Sequence, residues 1–271
     1  MAGPVLKILF IGDVVGRGGR MAVRNLLPDL KKEYGCTFAV VNAENSANGA
    51  GISASCLEEM PGVDVFTSGD HIWDQKRFED EILRFKNVLR PANFSTLQPG
   101  NGWGIFRNQA GGEVAVISLL GKVFMRSSAY CPFETAEKIL KQIPGTCNCI
   151  IVDFHAEATS EKLALAWFLA GKVTAVIGTH THVQTADSRI LPGGTAMLSD
   201  VGMVGGNDSI LGRDVQDVIR KFRTDMPTKL NVVEDNIRLD ACVISYELTT
   251  GKAVGIETIS KIYHPGQEEL S

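Results

Sequence analysis

A chain of 271 residues, 44% hydrophobic and 21% charged, has enough apolar side chains to bury a substantial core, which excludes wholesale disorder. A formal net charge of −4 argues against a surface built to cling to nucleic-acid backbones or anionic membranes. The start of the chain lacks the basic opening and long apolar stretch of a signal peptide, and no run is long enough to cross a bilayer, so a cytoplasmic protein is expected.

Val5 to Ile11 is an apolar run of strand length that ends in Gly12-Asp13-Val14-Val15-Gly16. A helical pattern follows through Met21, Val23, Leu26, Leu27 and Leu30, with Pro28 either kinking that helix or starting a second one. Thr37 to Val41 reads as the next strand, and the polar loop after it carries Glu44 and Asn45. A short helix from about Ser53 to Met60 leads to a strand at Asp64 to Thr67, which ends in Ser68-Gly69-Asp70-His71. Strand, polar loop and helix in repetition is the rhythm of an α/β fold, in which loops at the carboxyl ends of strands carry ligands.

From Asn87 to Val123 the pattern becomes short strands with Gly, Asn and Gln turns, read as mainly antiparallel. Cys149 to Asp153 is a buried strand that delivers His155, and Thr159 or Ser160 is the expected N-cap of a helix through about Ala170. Val173 to Ile177 is the strand that delivers Gly178-Thr179-His180-Thr181-His182. A Gly-rich region (193–206), a helix near Val215 to Phe222 and a terminal hairpin around Thr249-Thr250-Gly251 complete the chain. No repeat, low-complexity tract or linker divides it, so one domain over residues 1–271 is expected. The six cysteines are too dispersed for a disulfide framework, and Cys147 and Cys149 read as strand residues.

Only five histidines occur, and two lie one residue apart at His180 and His182. In an extended segment, side chains at i and i+2 share a side, so both imidazoles could aim at one point. Alone, such a pair is as readily a polar loop, Asp13 a turn residue and His155 a core histidine. Five strand ends that bring Asp13, Glu44-Asn45, Asp70-His71, His155 and His180/His182 to one edge are a different matter. Carboxylate, amide and imidazole donors in that number suit two ions of zinc, manganese or iron. A dinucleotide-binding reading of residues 12–19 fails, because the G-x-G-x-x-G spacing is missing and Asp13 would repel a pyrophosphate.

The blocks Gly12-Asp13-Val-Val-Gly16, Asn42-Ala-Glu44-Asn45, Gly69-Asp70-His71, Asp153-Phe-His155-Ala-Glu157 and Gly178-Thr-His180-Thr-His182 resemble the bacterial YmdB-like metallophosphoesterases. That resemblance extends through most of the chain. It implies a calcineurin-like αββα sandwich, two mixed sheets flanked by helices, with two metal ions, Fe or Mn foremost and Zn admissible. Carried over residue by residue, Asp13, Asn45 and His182 hold one ion. Asp70, His155 and His180 hold the other, the Glu44 carboxylate bridges, and His71 is the general acid.

The activity implied is hydrolysis of cyclic nucleotides, 2′,3′-cyclic and also 3′,5′-cyclic AMP, by attack of a hydroxide shared by the two ions while His71 protonates the departing ribose oxygen. The rival readings are a metal- or nucleotide-binding regulator and a phosphomonoesterase on the same scaffold. The partners expected are small phosphodiesters, with no membrane and no extended nucleic acid, and the resemblance implies a homo-oligomer. One position departs from the family pattern, which usually has Asn where this chain has Asp70. With Asn, two divalent ions, Asp13, Glu44 and a hydroxide leave one formal positive charge for phosphate. With ionised Asp70 the sum is zero.

Overall fold

The computed structural model describes residues 3–266. Strand β1 (Val5–Ile11) runs into the two-residue strand β2 (Asp13–Val14) and helix α1 (Gly16–Tyr34). Strand β3 (Phe38–Asn42), helix α2 (Ala54–Glu58) and strand β4 (Val65–Thr67) follow, with β1, β3 and β4 parallel. Helix α3 (Phe78–Glu81) precedes strands β5 (Trp103–Arg107) and β6 (Glu113–Leu120), and helix α4 (Pro132–Leu140) comes next. Strand β7 (Cys149–His155), helix α5 (Thr159–Phe168) and strand β8 (Ala175–Thr179) form a second parallel unit. Strands β9 (Arg189–Leu191), β10 (Thr195–Leu198) and β11 (Met203–Gly206) lead to helix α6 (Val215–Thr224). The hairpin of β12 (Ile237–Glu247) and β13 (Ala253–Tyr263) ends the fold.

Two mixed sheets result. One has the order β2-β11-β12-β1-β3-β4 with β13 added on β12, and the other has the order β5-β6-β7-β8-β10-β9. Alternation along each strand assigns the layers, because successive side chains point to opposite faces. Ile8 and Phe10 of β1 and Phe38 and Val40 of β3 pack between the sheets against Val116, Ile151 and Ile177. Their neighbours Leu9, Ile11, Ala39 and Val41 face outward and share a cluster with Val23, Leu27 and Leu30 of α1. On the second sheet Ile117, Val152 and Phe154 share a cluster with Ala136 of α4 and Leu165 and Ala166 of α5. The layers are therefore helix, sheet, sheet, helix, as expected.

The inner face changes character along its length. In β3 it runs Phe38, Val40, Asn42, in β7 Ile151, Asp153, His155, and in β8 Ala175, Ile177, Thr179. Apolar residues hold the sheets together at one end, and buried polar residues collect at the carboxyl ends. Such polar groups persist only where hydrogen bonds or a ligand satisfy them.

Several local expectations need correction. Pro28 lies inside α1, so no second helix begins there; the packing of Leu27 and Leu30 outweighs the missing N–H. Helix α5 is preceded by Ala158 at the N-cap, without a side-chain cap, because Thr159 is already helical. Residues 87–123 are antiparallel only between β5 and β6, since β6 also pairs in parallel with β7. The Gly-rich region contains two fully buried strands, β10 and β11. Cys149 opens β7, whereas Cys147 is buried just ahead of it, and both are free thiols. No helix among the described residues is long and apolar enough to cross a membrane.

Candidate metal centre

Each candidate side chain sits at or just beyond the carboxyl end of a strand. Asp13 opens β2, Glu44 and Asn45 follow β3, and Asp70 and His71 follow β4. His155 ends β7, and His180 follows β8. Two glycines permit the close approach. A Cβ at Gly69 would overlap both the His155 ring and the Glu44 carboxylate, and one at Gly178 would overlap the Ser199 carbonyl.

Three imidazoles are each held by one ring nitrogen, with the other aimed at a neighbouring ligand. His155 Nδ1 lies 2.8 Å from Thr179 Oγ1, whose own hydroxyl donates to Asp153 Oδ1 at 2.7 Å. Asn42 Nδ2 donates to the other Asp153 oxygen at 3.0 Å. His155 Nε2 is thereby turned toward Glu44 Oε1, 3.0 Å away. His180 is the mirror case: Nε2 lies 3.2 Å from Glu157 Oε2, and Nδ1 lies 2.9 Å from His155 Nε2. His182 Nδ1 lies 3.2 Å from the Leu211 carbonyl, and Nε2 accepts from Asn45 Nδ2 at 3.2 Å. Anchoring the far nitrogen to a carboxylate, carbonyl or hydroxyl is how proteins fix the tautomer of a metal-binding histidine.

The geometry of the histidine pair corrects one premise. His180 (φ 100°) and His182 (φ 63°) both adopt positive φ, so the segment is a bend past the end of β8 and not an extended strand. Asp200 shapes the bend by accepting from the Thr181 amide at 2.9 Å and the Thr181 hydroxyl at 2.8 Å. The buried Lys162 ammonium donates to the same Asp200 oxygen at 2.7 Å. The two rings therefore diverge, one toward His155 and the other toward Asn45.

Glu44 joins the two groups. Its Oε1 lies beside His155 and accepts from Asn45 Nδ2 at 3.1 Å, while the His71 amide donates to Oε2 at 3.4 Å. Asp70 Oδ1 lies 3.5 Å from His155 Nε2 and 3.9 Å from His180 Nδ1. One donor atom each from Glu44, Asp70, His155 and His180 falls within 4.8 Å of all the others, so these four residues could hold a metal ion. Asp13 accepts from the His180 amide at 3.1 Å through Oδ2, and its Oδ1 lies 3.7 Å from His155 Nδ1. Among the described residues, no hydrogen bond or ion pair links Asp13 directly to Asn45 or His182. Asp13 Oδ1 and Asp70 Oδ1 are buried without a hydrogen-bond donor. Leaving carboxylate oxygens in that state is costly unless a cation takes their lone pairs, and the donor set fits one.

The charges point the same way. Burial, with Glu44 and Asp200 adding to it, raises the Asp13 carboxyl well above its usual value. Burial works against an imidazolium at His155, but the Glu44, Asp70 and Asp13 carboxylates around it prevail and raise it well above the usual histidine value. Glu44 and Asp70 are pushed up by burial, yet the positive charge of His155 beside them holds both below the ordinary carboxylate range. His180 is lowered to about 4 by burial and by the neighbouring His155 charge. Burial also lowers His182. Without a cation the centre would thus keep a proton on His155 beside the Glu44 and Asp70 carboxylates, where a bound ion would do the same work.

His71 stands at the edge of the cleft with Nδ1 2.7 Å from Asp74 Oδ2. Arg90, Asn93 and Gln184, which also lie in the motif loops, spend their side chains on backbone. Arg90 donates to the Pro91 and Pro99 carbonyls, Asn93 to those of Leu120 and Tyr130, and Gln184 to those of Val201, Ala241 and Ile259. Sequence reasoning does not single out the anchors Asp153, Glu157, Thr179 and Asp200. Asp153 carries a signal, since a residue two before His155 on a strand shares its face. Thr179 carries none, because its role depends on β7 and β8 being paired so that His155 faces Thr179.

Comparison with known proteins identifies relatives along nearly the whole chain. A 2′,3′-cyclic-nucleotide 2′-phosphodiesterase of Bacillus subtilis (strain 168) is 44% identical over 256 residues, 94% of this chain and 96% of that one. A crystal structure of a novel phosphatase from Mycoplasma pneumoniae superposes with a TM-score of 0.89 at 33% identity, covering 97% of this chain and 95% of that one. A hypothetical protein from Thermus thermophilus gives a TM-score of 0.88 at 34% identity, covering 96% of this chain and 100% of that one. Residues 9–259 match the family described as YmdB-like protein, and the chain belongs to that family.

Proposed function

We propose that this protein is a dinuclear-metal-dependent phosphodiesterase that opens 2′,3′-cyclic nucleotides at the 2′ oxygen. The observation that carries the reading is the pair of imidazoles, His155 and His180, each anchored at one nitrogen by a protein partner and directed by the other into a cluster with Glu44 and Asp70, while His182 is anchored on the Leu211 carbonyl and turned toward Asn45. The 44% identity to a relative with that named activity supports the choice of substrate.

Asp13, Asn45 and His182 would hold one ion, Asp70, His155 and His180 the other, with Glu44 shared between them. Iron or manganese is the first choice and zinc is compatible with the same donors. When bound, such ions act as Lewis acids toward phosphoryl oxygens and ease the loss of a proton from water. The chain supplies the rest. His71 donates its Nε2 proton to the departing O2′ while its Nδ1 proton stays with Asp74, which holds the ring in one orientation. Water adds to phosphorus as the P–O2′ bond breaks, so the products are a 2′-hydroxyl and a 3′-phosphate, and the proton lost by water replaces the one His71 gave up.

The test is turnover of 2′,3′-cyclic AMP with added Mn²⁺ or Fe²⁺, the products resolved as 3′-AMP and 2′-AMP, with 3′,5′-cyclic AMP in parallel. Formation of 3′-AMP, lost in His71→Ala with metal content unchanged, is the expected result. Equal turnover in His71→Ala would remove the acid role, and a metal-filled protein that leaves the cyclic diester intact would remove the reading.

A further inference from the structure

The cleft above the centre is a cavity of about 430 Å³, lined by Glu44, Asn45, His71, Glu157, His180 and His182 together with two arginines, Arg126 and Arg213. The two arginines differ in what they are free to do. Arg213 is committed to backbone: its guanidinium donates to the carbonyls of Asn48, Gly49 and Leu230, and so forms part of the wall. Arg126 is exposed at the cleft, and among the described residues its side chain makes no hydrogen bond or ion pair.

The loop that presents Arg126 is not loose at its ends. On the β6 side, the Gly121 amide donates to the His155 carbonyl at 2.8 Å, and the Lys122 and Val123 amides donate to the Glu161 carboxylate at 3.0–3.2 Å. On the α4 side, the Tyr130 amide donates to the Asn93 carbonyl at 2.8 Å, and Asn93 Nδ2 returns a bond to the Tyr130 carbonyl at 2.9 Å. Met125 and Ala129 pack against the core beneath the first sheet. Arg126 lies between these fixed points, directed into the cleft by a loop anchored at both ends.

The electrostatic need is also visible. The centre supplies three carboxylates, Asp13, Glu44 and Asp70, and Glu157 adds a fourth at the rim. Two divalent cations, if balanced by the first three and by a hydroxide, would leave no net charge to draw in a phosphodiester. A guanidinium has the planar donor fork that matches two phosphate oxygens, and here it is spent on nothing else.

We propose that Arg126 is the substrate-phosphate recognition residue of the cleft, binding the non-bridging oxygens of the diester and supplying the positive charge that the three-carboxylate centre lacks. This rests on the phosphodiesterase reading for its substrate, though not for its anion-binding role. Arg126 acts by binding and orienting the phosphate, so its loss falls on substrate capture more than on the chemical step.

The experiment compares the metal-loaded wild-type protein with Arg126→Gln and Arg126→Lys. Steady-state rates on 2′,3′-cyclic AMP are measured at low and high salt, and calorimetry measures binding of inorganic phosphate and of adenosine. Arg126→Gln is expected to raise KM about 10- to 100-fold with kcat within a few-fold, the range of one lost charge-assisted bond. Arg126→Lys should recover part of the loss, and the salt dependence of kcat/KM should flatten in Arg126→Gln. Phosphate binding should weaken by the same order while adenosine binding stays put. A wild-type enzyme that turns over the diester, with Arg126→Gln matching its KM and its phosphate affinity, would overturn the role of Arg126 and leave the phosphodiesterase reading standing. A wild type without turnover whose phosphate affinity still depends on Arg126 would overturn the phosphodiesterase reading and keep this one.

Discussion

His71 and Asp74 face each other across one turn of loop, with the ring nitrogen Nδ1 2.7 Å from carboxylate oxygen Oδ2. A carboxylate on Nδ1 holds the imidazole in one orientation and leaves Nε2 as the nitrogen that meets the substrate. The pair stands at the rim of the cleft, beside the metal-binding cluster and outside it, which is where a proton donor to a leaving group belongs. Asp74→Asn keeps the size of the side chain and removes its charge. It should lower kcat about 10- to 100-fold, up to the lower limit of what general acid catalysis contributes, with KM and metal content little changed. Single-turnover rates on 2′,3′-cyclic AMP measure this, and an unaltered rate would show that Asp74 is only a loop residue.

Asp70 sets the charge of the centre. Its carboxylate is held well below the ordinary carboxylate range, against the pull of burial, chiefly by the neighbouring His155, so it subtracts a full charge at neutral pH. Asp70→Asn should therefore strengthen the attraction for an anionic diester, lowering KM several-fold and steepening its dependence on salt. Kinetics at two ionic strengths decide the point. A KM that does not fall would mean that the charge of the centre does not limit substrate capture.

The shift at His155 gives metal uptake a definite pH dependence. Without a cation the carboxylates around it raise its pKa well above the usual histidine value, so it tends to hold a proton that a cation must displace. Raising the pH removes that competition, and falling pH restores it. Mn²⁺ affinity should therefore rise from about pH 6 to about pH 8, and calorimetry in buffers of different ionisation enthalpy should register proton release on binding. Affinity that is flat across this range, without proton release, would contradict the protonation argued for His155.

Fold and site are legible in the sequence to different depths. The apolar run from Ile8 to Ile11 is enough to read β1 as a strand, and the polar residues that end the strands carry the site. Less can be read where pairing decides the outcome. That His155 faces Thr179 follows from the register of β7 and β8, which no single segment encodes. The bend at His180 and His182 cannot be read as such either, because it depends on Asp200, itself held by Lys162, reaching Thr181 from elsewhere in the chain. Strands β10 and β11 are hidden by the glycines before the first and inside the second, although both are fully buried. Their hydrogen bonds to β8 and β12 stabilise them where local propensity does not.

The Lys162–Asp200 pair offers a stability test separate from catalysis. Both side chains are almost wholly buried, and Lys162→Met would leave the Asp200 charge with only its bonds from Thr181 and Gly202. Breaking one side of such a pair costs about 3–5 kcal/mol, enough to lower the urea midpoint sharply. A midpoint equal to that of the wild-type protein would mean that the pair is relaxed by water.

The most direct test of the central claim joins metal content to product identity. Purified protein loaded with Mn²⁺ or Fe²⁺ is assayed for bound metal per chain and for the product formed from 2′,3′-cyclic AMP, beside a His155→Ala variant. Two ions per chain with 3′-AMP as product, and loss of both bound metal and turnover in His155→Ala, is the predicted result. Full turnover in His155→Ala, or wild-type turnover that persists after the metal is stripped by a chelator, would contradict it.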